Sequence, residues 1–215
     1  MMLKATFLRH CLNSLLAATL ITTILTAPSF ALTKLTDQSI MDAIQYGLKN
    51  QDMGLSFFLG PNWREGRNGF LLNIYTPYIE IARSAVTHKA GPVDPTDAEL
   101  SKARKTIVED ASYIYSHPTV KFLCSMYGKD ATFAKGYYAD IEGVGRGRRV
   151  HLLPSKSVRQ GIARVEKGAT FERYSAINTY HFKYDDIAPL DELTFRLYGK
   201  DRPSVVFKIK TKSLL

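Results

Sequence analysis

The sequence predicts an α+β fold: a helical N-terminal half of about three helices packed on a C-terminal antiparallel β-sheet, closed as a sandwich or an open barrel. Three observations predict it. Apolar residues recur at helical spacing between Thr36 and Ser116. From Thr119 the pattern changes to strict alternation. The later apolar runs are short and are separated by the turn-type segments GVGRGRR, PSKS, KGA, DDIAP and YGKDRP, the punctuation of an antiparallel sheet.

Residues 1–31 read as a secretory signal. Lys4 and Arg9 supply positive charge, Leu15 to Thr26 (LLAATLITTILT) an apolar stretch, and Ser29 and Ala31 the small residues that a signal peptidase inspects. Cleavage is expected after Ala31, giving a periplasmic or secreted protein. An uncleaved anchor is the alternative, but the apolar run falls short of the ~18 to 20 residues that span a bilayer core. The leader removes two of the 29 Lys+Arg and none of the 20 Asp+Glu, leaving 27 against 20, a net charge of +7. It also removes Cys11, so Cys124 stands alone and no intramolecular disulfide can form. Core burial must therefore hold the chain together, and its length suffices for one good core or two small ones.

The first helix is expected over Thr36 to Asn50, where Ile40, Met41, Ile44, Gly47 and Leu48 form one stripe, with Thr36 or Asp37 as N-cap and Gly54 as a stop. Phe70 to Val86 (FLLNIYTPYIEIARSAV), the most apolar stretch after the leader, is expected as a buried helix interrupted by Asn73, Glu80 and Arg83. Pro77 leaves two readings: a fresh helix capped by Thr76, or one helix from near Asn68 that kinks at the proline. After the turn-rich HKAGPVDP comes the best-marked helix. Thr96 and Glu99 form a capping box, and Leu100, Ala103, Ile107, Ala111 and Ile114 share a face until Ser116-His117-Pro118.

The β-rich region opens with Val120, Phe122, Cys124 and Met126 on one face and Lys121 and Ser125 on the other. Further strands are expected over Gly136 to Ile141, Arg148 to Leu153, Phe171 to Tyr184, Leu193 to Leu197 and Val205 to Ile209. The organisation is thus a helical region over 32–118 and a β-rich region over 119–215, sharing an interface or forming one domain.

No metal site and no cofactor are expected. His88, His117, His151 and His181 lack a partner at zinc-ligand spacing, and Asp185-Asp186 supplies too few oxygens for calcium. Cys124 belongs to an apolar face, where a thiol is unreactive. Neither a G-x-S-x-G elbow nor an S-x-x-K motif is present. Gly143 to Arg149 departs from the dinucleotide fingerprint, since Arg148 holds the sixth place, and reads as a hairpin. Around it Arg146, Arg148, Arg149, Lys156, Arg159, Arg164 and Lys167 face a single acid, Glu166. This run is a solvated face or a patch for polyanions. Envelope glycan or anionic lipid, with peripheral membrane contact, suits an exported protein; nucleic acid does not.

The segment FLGPNWREGRNGFLLN, Phe58 to Asn73, holds the only tryptophan. Trp63 is either a core anchor or a flat platform, with Asn62, Arg64, Glu65, Arg67 and Asn68 as polar contacts around it. If a helix begins near Asn68, its free N–H groups with Arg64 and Arg67 would suit an anion. Glu65 could serve as a catalytic acid only beside a second carboxylate, with Asp42, Glu80 and Asp185 as chemical candidates. The expected function is an exported, non-catalytic binding or envelope-associated protein for an anionic or glycan ligand. The alternatives are a periplasmic hydrolase acting on glycan or peptide, and a structural or assembly subunit using an exposed sheet edge.

Overall fold

The computed structural model describes residues 32, 35–53, 58–88, 91–110, 116–165, 174–199 and 202–214. The expected leader and its cleavage point, Gly54, Ala111, Ile114, Glu166 and Lys167 lie outside the described residues. The helices are α1 (Asp37–Lys49), α2 (Pro77–Thr87), α3 (Asp97–Asp110) and the one-turn α4 (Tyr184–Ile187). The strands are β1 (Arg64–Arg67), β2 (Phe70–Tyr75), β3 (Thr119–Gly128), β4 (Tyr137–Gly145), β5 (Arg148–Leu152), β6 (Lys156–Val158), β7 (Arg164–Val165), β8 (Tyr174–Lys183), β9 (Glu192–Gly199) and β10 (Arg202–Lys210).

All strand pairs are antiparallel. Sheet I has the order β1-β2-β3-β8-β6, with β7 also on β8, and sheet II the order β10-β9-β4-β5. This corrects the expected division into a helical half and a β half. Two strands of the N-terminal region, β1 and β2, belong to sheet I, where β2 lies directly against β3. The buried helix expected over Phe70 to Val86 is a strand to Tyr75 followed by α2, which Thr76 caps and Pro77 begins. The cause is burial on both faces of β2: only Leu71 among its six residues is less than fully buried. A strand enclosed on both sides loses its alternation and reads as a continuous apolar run, which periodicity cannot distinguish from a buried helix.

The sheets meet through aromatic side chains on their inner faces. Phe122 of β3 stacks on Phe195 of β9 with centroids 4.9 Å apart and planes 6° apart. Tyr180, Phe182 and Phe207 surround the same ring at 6.0, 6.5 and 6.3 Å. Cys124 is buried on this face, and burial pushes its thiol well above the ordinary range. Asn178, also fully buried, is satisfied: its Oδ1 accepts from Gln160 N at 2.9 Å and its Nδ2 donates to the Ala134 carbonyl at 2.8 Å.

Helices α1, α2 and α3 pack on one another. Thr36 closes a capping box with Ser39 at the start of α1, and Thr96 one with Glu99 before α3. Gly47 lets α1 touch α2, since a Cβ there would lie 2.2 Å from the Ala82 carbonyl oxygen. Tyr46 packs edge-on against Phe58 and Trp63, tying the helices to the segment that leads into β1.

Candidate functional site

The outward positions of sheet I are fixed by pairing. Lys121 of β3 lies opposite His181 of β8, and His181 opposite Lys156 of β6. Because directly opposed residues share a face, three basic or titratable side chains stand in one row across three strands. Lys183, two residues after His181, belongs to the same face, opposite Thr119. Together with Glu80, Ser116, His117, Tyr184 and Asp185 these residues line a cleft of about 630 Å³.

Helix α2 supplies the counter-charge. Glu80 pairs with Lys121 Nζ, and its carboxylate is largely buried. Burial raises the Glu80 pKa, while the hydrogen bond and charge of Lys121 and the charge of Arg83 oppose that rise. Arg83 itself lies over the Tyr75 ring, 4.8 Å from its centroid. The His181 pKa moves the other way. Burial lowers it, and the positive charges of Lys121 and Lys156 lower it further. Among the described residues neither Lys156 nor Lys183 forms an ion pair. The cleft therefore presents two unneutralised ammonium groups beside an imidazole whose proton affinity an added negative charge would raise.

Of the two forms expected for Trp63, the structure has the buried anchor. Trp63 ends a 3-10 turn, Pro61–Trp63, and is buried; its indole N–H meets no acceptor among the described residues. No aromatic platform is offered there. Asn68 and Gly69 have φ of +51° and +79°, the pattern of a two-residue hairpin turn between β1 and β2. The helix N-terminus considered for an anion is thus replaced by a hairpin. Glu65 Oε1 accepts from Arg67 Nη2 at 3.0 Å, so these two neutralise each other. Asn62, Arg64 and Glu65 line a hollow of about 390 Å³ that they share with Lys208 and Lys210 of β10. Among the described residues no second carboxylate lines it.

The basic run after Gly143 is spread over both sheets. Arg146 and Gly147 form the β4–β5 turn, and Arg148 and Arg149 lie on β5 of sheet II. Arg159 covers the Tyr138 ring at 4.7 Å. Lys156 and Arg164, on β6 and β7, reach the outward face of sheet I.

A second cluster lies on the outward face of sheet II. Asp140 Oδ2 accepts from His151 Nε2 at 2.8 Å and from Tyr198 Oη at 3.0 Å, and Arg196 pairs with Glu142 beside them. His151 is therefore not solitary, because the β4–β5 hairpin folds it back toward Asp140. It also borders a groove of about 510 Å³ lined by Glu142, Arg149, Glu192 and Thr194. Sequence reasoning missed both clusters. Alternation marked Lys121 as outward facing, but Lys121, Lys156 and His181 meet only through strand pairings that no spacing announces.

Fold and site together define a two-sheet α+β protein bearing a basic, histidine-containing cleft. No family model matches the chain, and no curated protein matches it. Among the described residues no helix is long and apolar enough to cross a membrane, and no group of three His, Cys, Asp or Glu side chains could hold a metal ion.

Proposed function

We propose that the chain is an exported, non-catalytic binding protein whose ligand carries an anionic group, seated in the cleft formed by Lys121, His181, Lys156 and Lys183. The observation that carries this reading is the cross-strand basic row, in which Glu80 engages only Lys121. Charge-assisted hydrogen bonds from ammonium and imidazolium to an oxyanion are shorter and stronger than neutral ones. Export is supported by the signal-like residues 1–31 and by Leu32, which is buried and whose carbonyl accepts from Tyr184 Oη at 3.2 Å. A chain cut after Ala31 would begin at a residue already anchored in the core.

Titration with inorganic phosphate, followed by calorimetry or by the ring resonances of His181, tests the cleft. Lys156→Gln combined with Lys183→Gln is expected to weaken phosphate at least about tenfold, each tenfold being about 1.4 kcal/mol. Undiminished affinity in that variant would remove the assignment. Sequencing the N-terminus of protein recovered outside the cytoplasm is expected to start at Leu32, and an intact Met1 would end the export reading.

A hydrolase is the second reading, favoured by the Asp140–His151 pair bordering the sheet II groove, where the carboxylate would orient the imidazole as a general base. Among the described residues no Ser, Thr or Cys bonds to His151, so water would be the nucleophile. The assembly-subunit reading gains no support from the edge strands. They carry Arg64, Glu65 and Arg67 on β1, Lys156 on β6, Arg164 on β7, Arg148, Arg149 and His151 on β5, and Lys208 and Lys210 on β10, and charge is what blunts an edge against pairing.

A further inference from the structure

The basic cleft is one end of a larger surface. Strand pairing arranges the outward face of sheet I in successive rows: Lys121, His181 and Lys156; then Asn73, Leu123, Thr179 and Val158; then Leu71, Ser125 and Ile177; then Tyr127, Ser175 and Arg164. The middle rows mix apolar with small polar side chains, and their solvent-open members lie on the β8 and β6 side. Ile177 is 52% exposed, Val158 48% and Tyr127 46%, while Leu71 and Leu123 are half-buried around a shallow hollow of about 180 Å³ that Arg64 also lines. None of the outward positions on these strands is Asp or Glu. Cations surround the apolar centre instead: Lys121, Lys156 and Lys183 at one end, Arg164 at the other, and Arg64 along β1. The outward face of sheet II makes the contrast, since Asp140, Glu142 and Glu192 are interspersed there with Arg196, Lys208 and Lys210.

We propose that the outward face of sheet I docks on the surface of an anionic bilayer, with a lipid phosphate in the cleft and Leu123, Val158 and Ile177 against the headgroup–acyl boundary. The reading rests on the cleft assigned above and names the bilayer as the source of its anion. Charge complementarity selects this occupant. An apolar field alone would suit many partners, but one whose described strands carry cations and no acid at their outward positions, the acids beside it being Glu80 on Lys121 and Asp185 in the cleft lining, suits a sheet of phosphates, whose surface potential attracts Lys and Arg while apolar groups enter the interface. Long basic side chains at the rim keep their ammonium and guanidinium groups at headgroup level while their stems lie on apolar surface.

Co-sedimentation of the purified full chain with two kinds of vesicle tests it: phosphatidylcholine alone, and phosphatidylcholine mixed with phosphatidylglycerol. Binding is expected to the mixed vesicles only and to weaken with salt. Val158→Ser with Ile177→Ser, at exposed sites outside the core, is expected to reduce partitioning at least about tenfold while leaving inorganic phosphate binding unchanged. Arg149→Gln with Lys208→Gln on sheet II is expected to leave vesicle binding as it was. Docking is overturned by a serine pair without effect, by equal loss in the sheet II variant, or by binding to neutral vesicles alike, as an apolar leader would give. Phosphate binding without vesicle binding also overturns it and leaves the cleft reading standing. Vesicle binding without phosphate binding removes the cleft reading and, with it, the seat of the lipid phosphate in the proposal. A circular dichroism melt of each variant confirms that a lost signal is not lost folding.

Discussion

His181 stands between Lys121 and Lys156 on its own face, with Glu80 of α2 reaching Lys121 from above the row. Burial and the two lysines hold its pKa below the ordinary value near 6.5. As pH falls through about 6.5 the unfolded chain takes up this proton before the folded one, so stability rises with pH across the window and is lost on acidification. Thermal unfolding followed across that window in chloride buffer is expected to show this slope. His181→Gln is expected to flatten it, and a slope unchanged in that variant would mean that another group carries it. Saturating phosphate is expected to shrink the slope in the native chain, since an anion beside the row lifts the pKa again. Trp63 poses a different question, because its ring is buried while its N–H meets no acceptor among the described residues. Trp63→Phe, which deletes part of a buried ring system, is expected to cost less than Trp63→Ala, whose cost by chemical denaturation is about 3 to 5 kcal/mol. A cost for phenylalanine as large as that for alanine would show that the indole N–H, and not the ring volume alone, is engaged. Trp63 could be recognised as an anchor from its place between apolar runs; the missing acceptor could not.

The β1–β2 hairpin is the element on which the reading of the N-terminal region turned. Asn68-Gly69 between Glu65-Arg67 and Phe70-Leu72 is a strong short-range hairpin signal, and it was present in the sequence. The apolar run after it concealed the strand, since β2 buries both faces and shows no alternation. Gly69 has φ of +79°, where a Cβ is disfavoured by about 1 to 2 kcal/mol. Gly69→Ala is therefore expected to lower stability by about that much, read from denaturant midpoints at unchanged m-value. At the far end of β2, Thr76 is buried and its Oγ1 accepts from Ile79 N at 3.3 Å. Thr76→Ala is expected to cost about 0.5 to 2 kcal/mol, whereas a neutral outcome would show that Pro77 alone sets the start of α2. The capping box of Thr96 and Glu99 and the alternation of β3 were legible in full, because each depends on residues within a few positions of one another.

At the scale of the molecule the two sheets are joined by an aromatic cluster centred on Phe195 and drawing rings from β3, β8 and β10. Phe195→Ala is expected to remove about 3 to 5 kcal/mol and to destabilise both sheets together, with a single unfolding transition by far- and near-ultraviolet circular dichroism. Two separated transitions would show that the sheets fold independently. The sequence by itself determined the capping box of Thr96 and Glu99, the outward side of β3 and the burial of Cys124, because sterics, periodicity and local hydrogen bonds act over a few residues. Only the tertiary structure decided that β2 joins β3, that Asp140 meets His151, and that Lys121, His181 and Lys156 share one row. Those meetings depend on which strand pairs with which, and pairing is selected by burial across the whole chain.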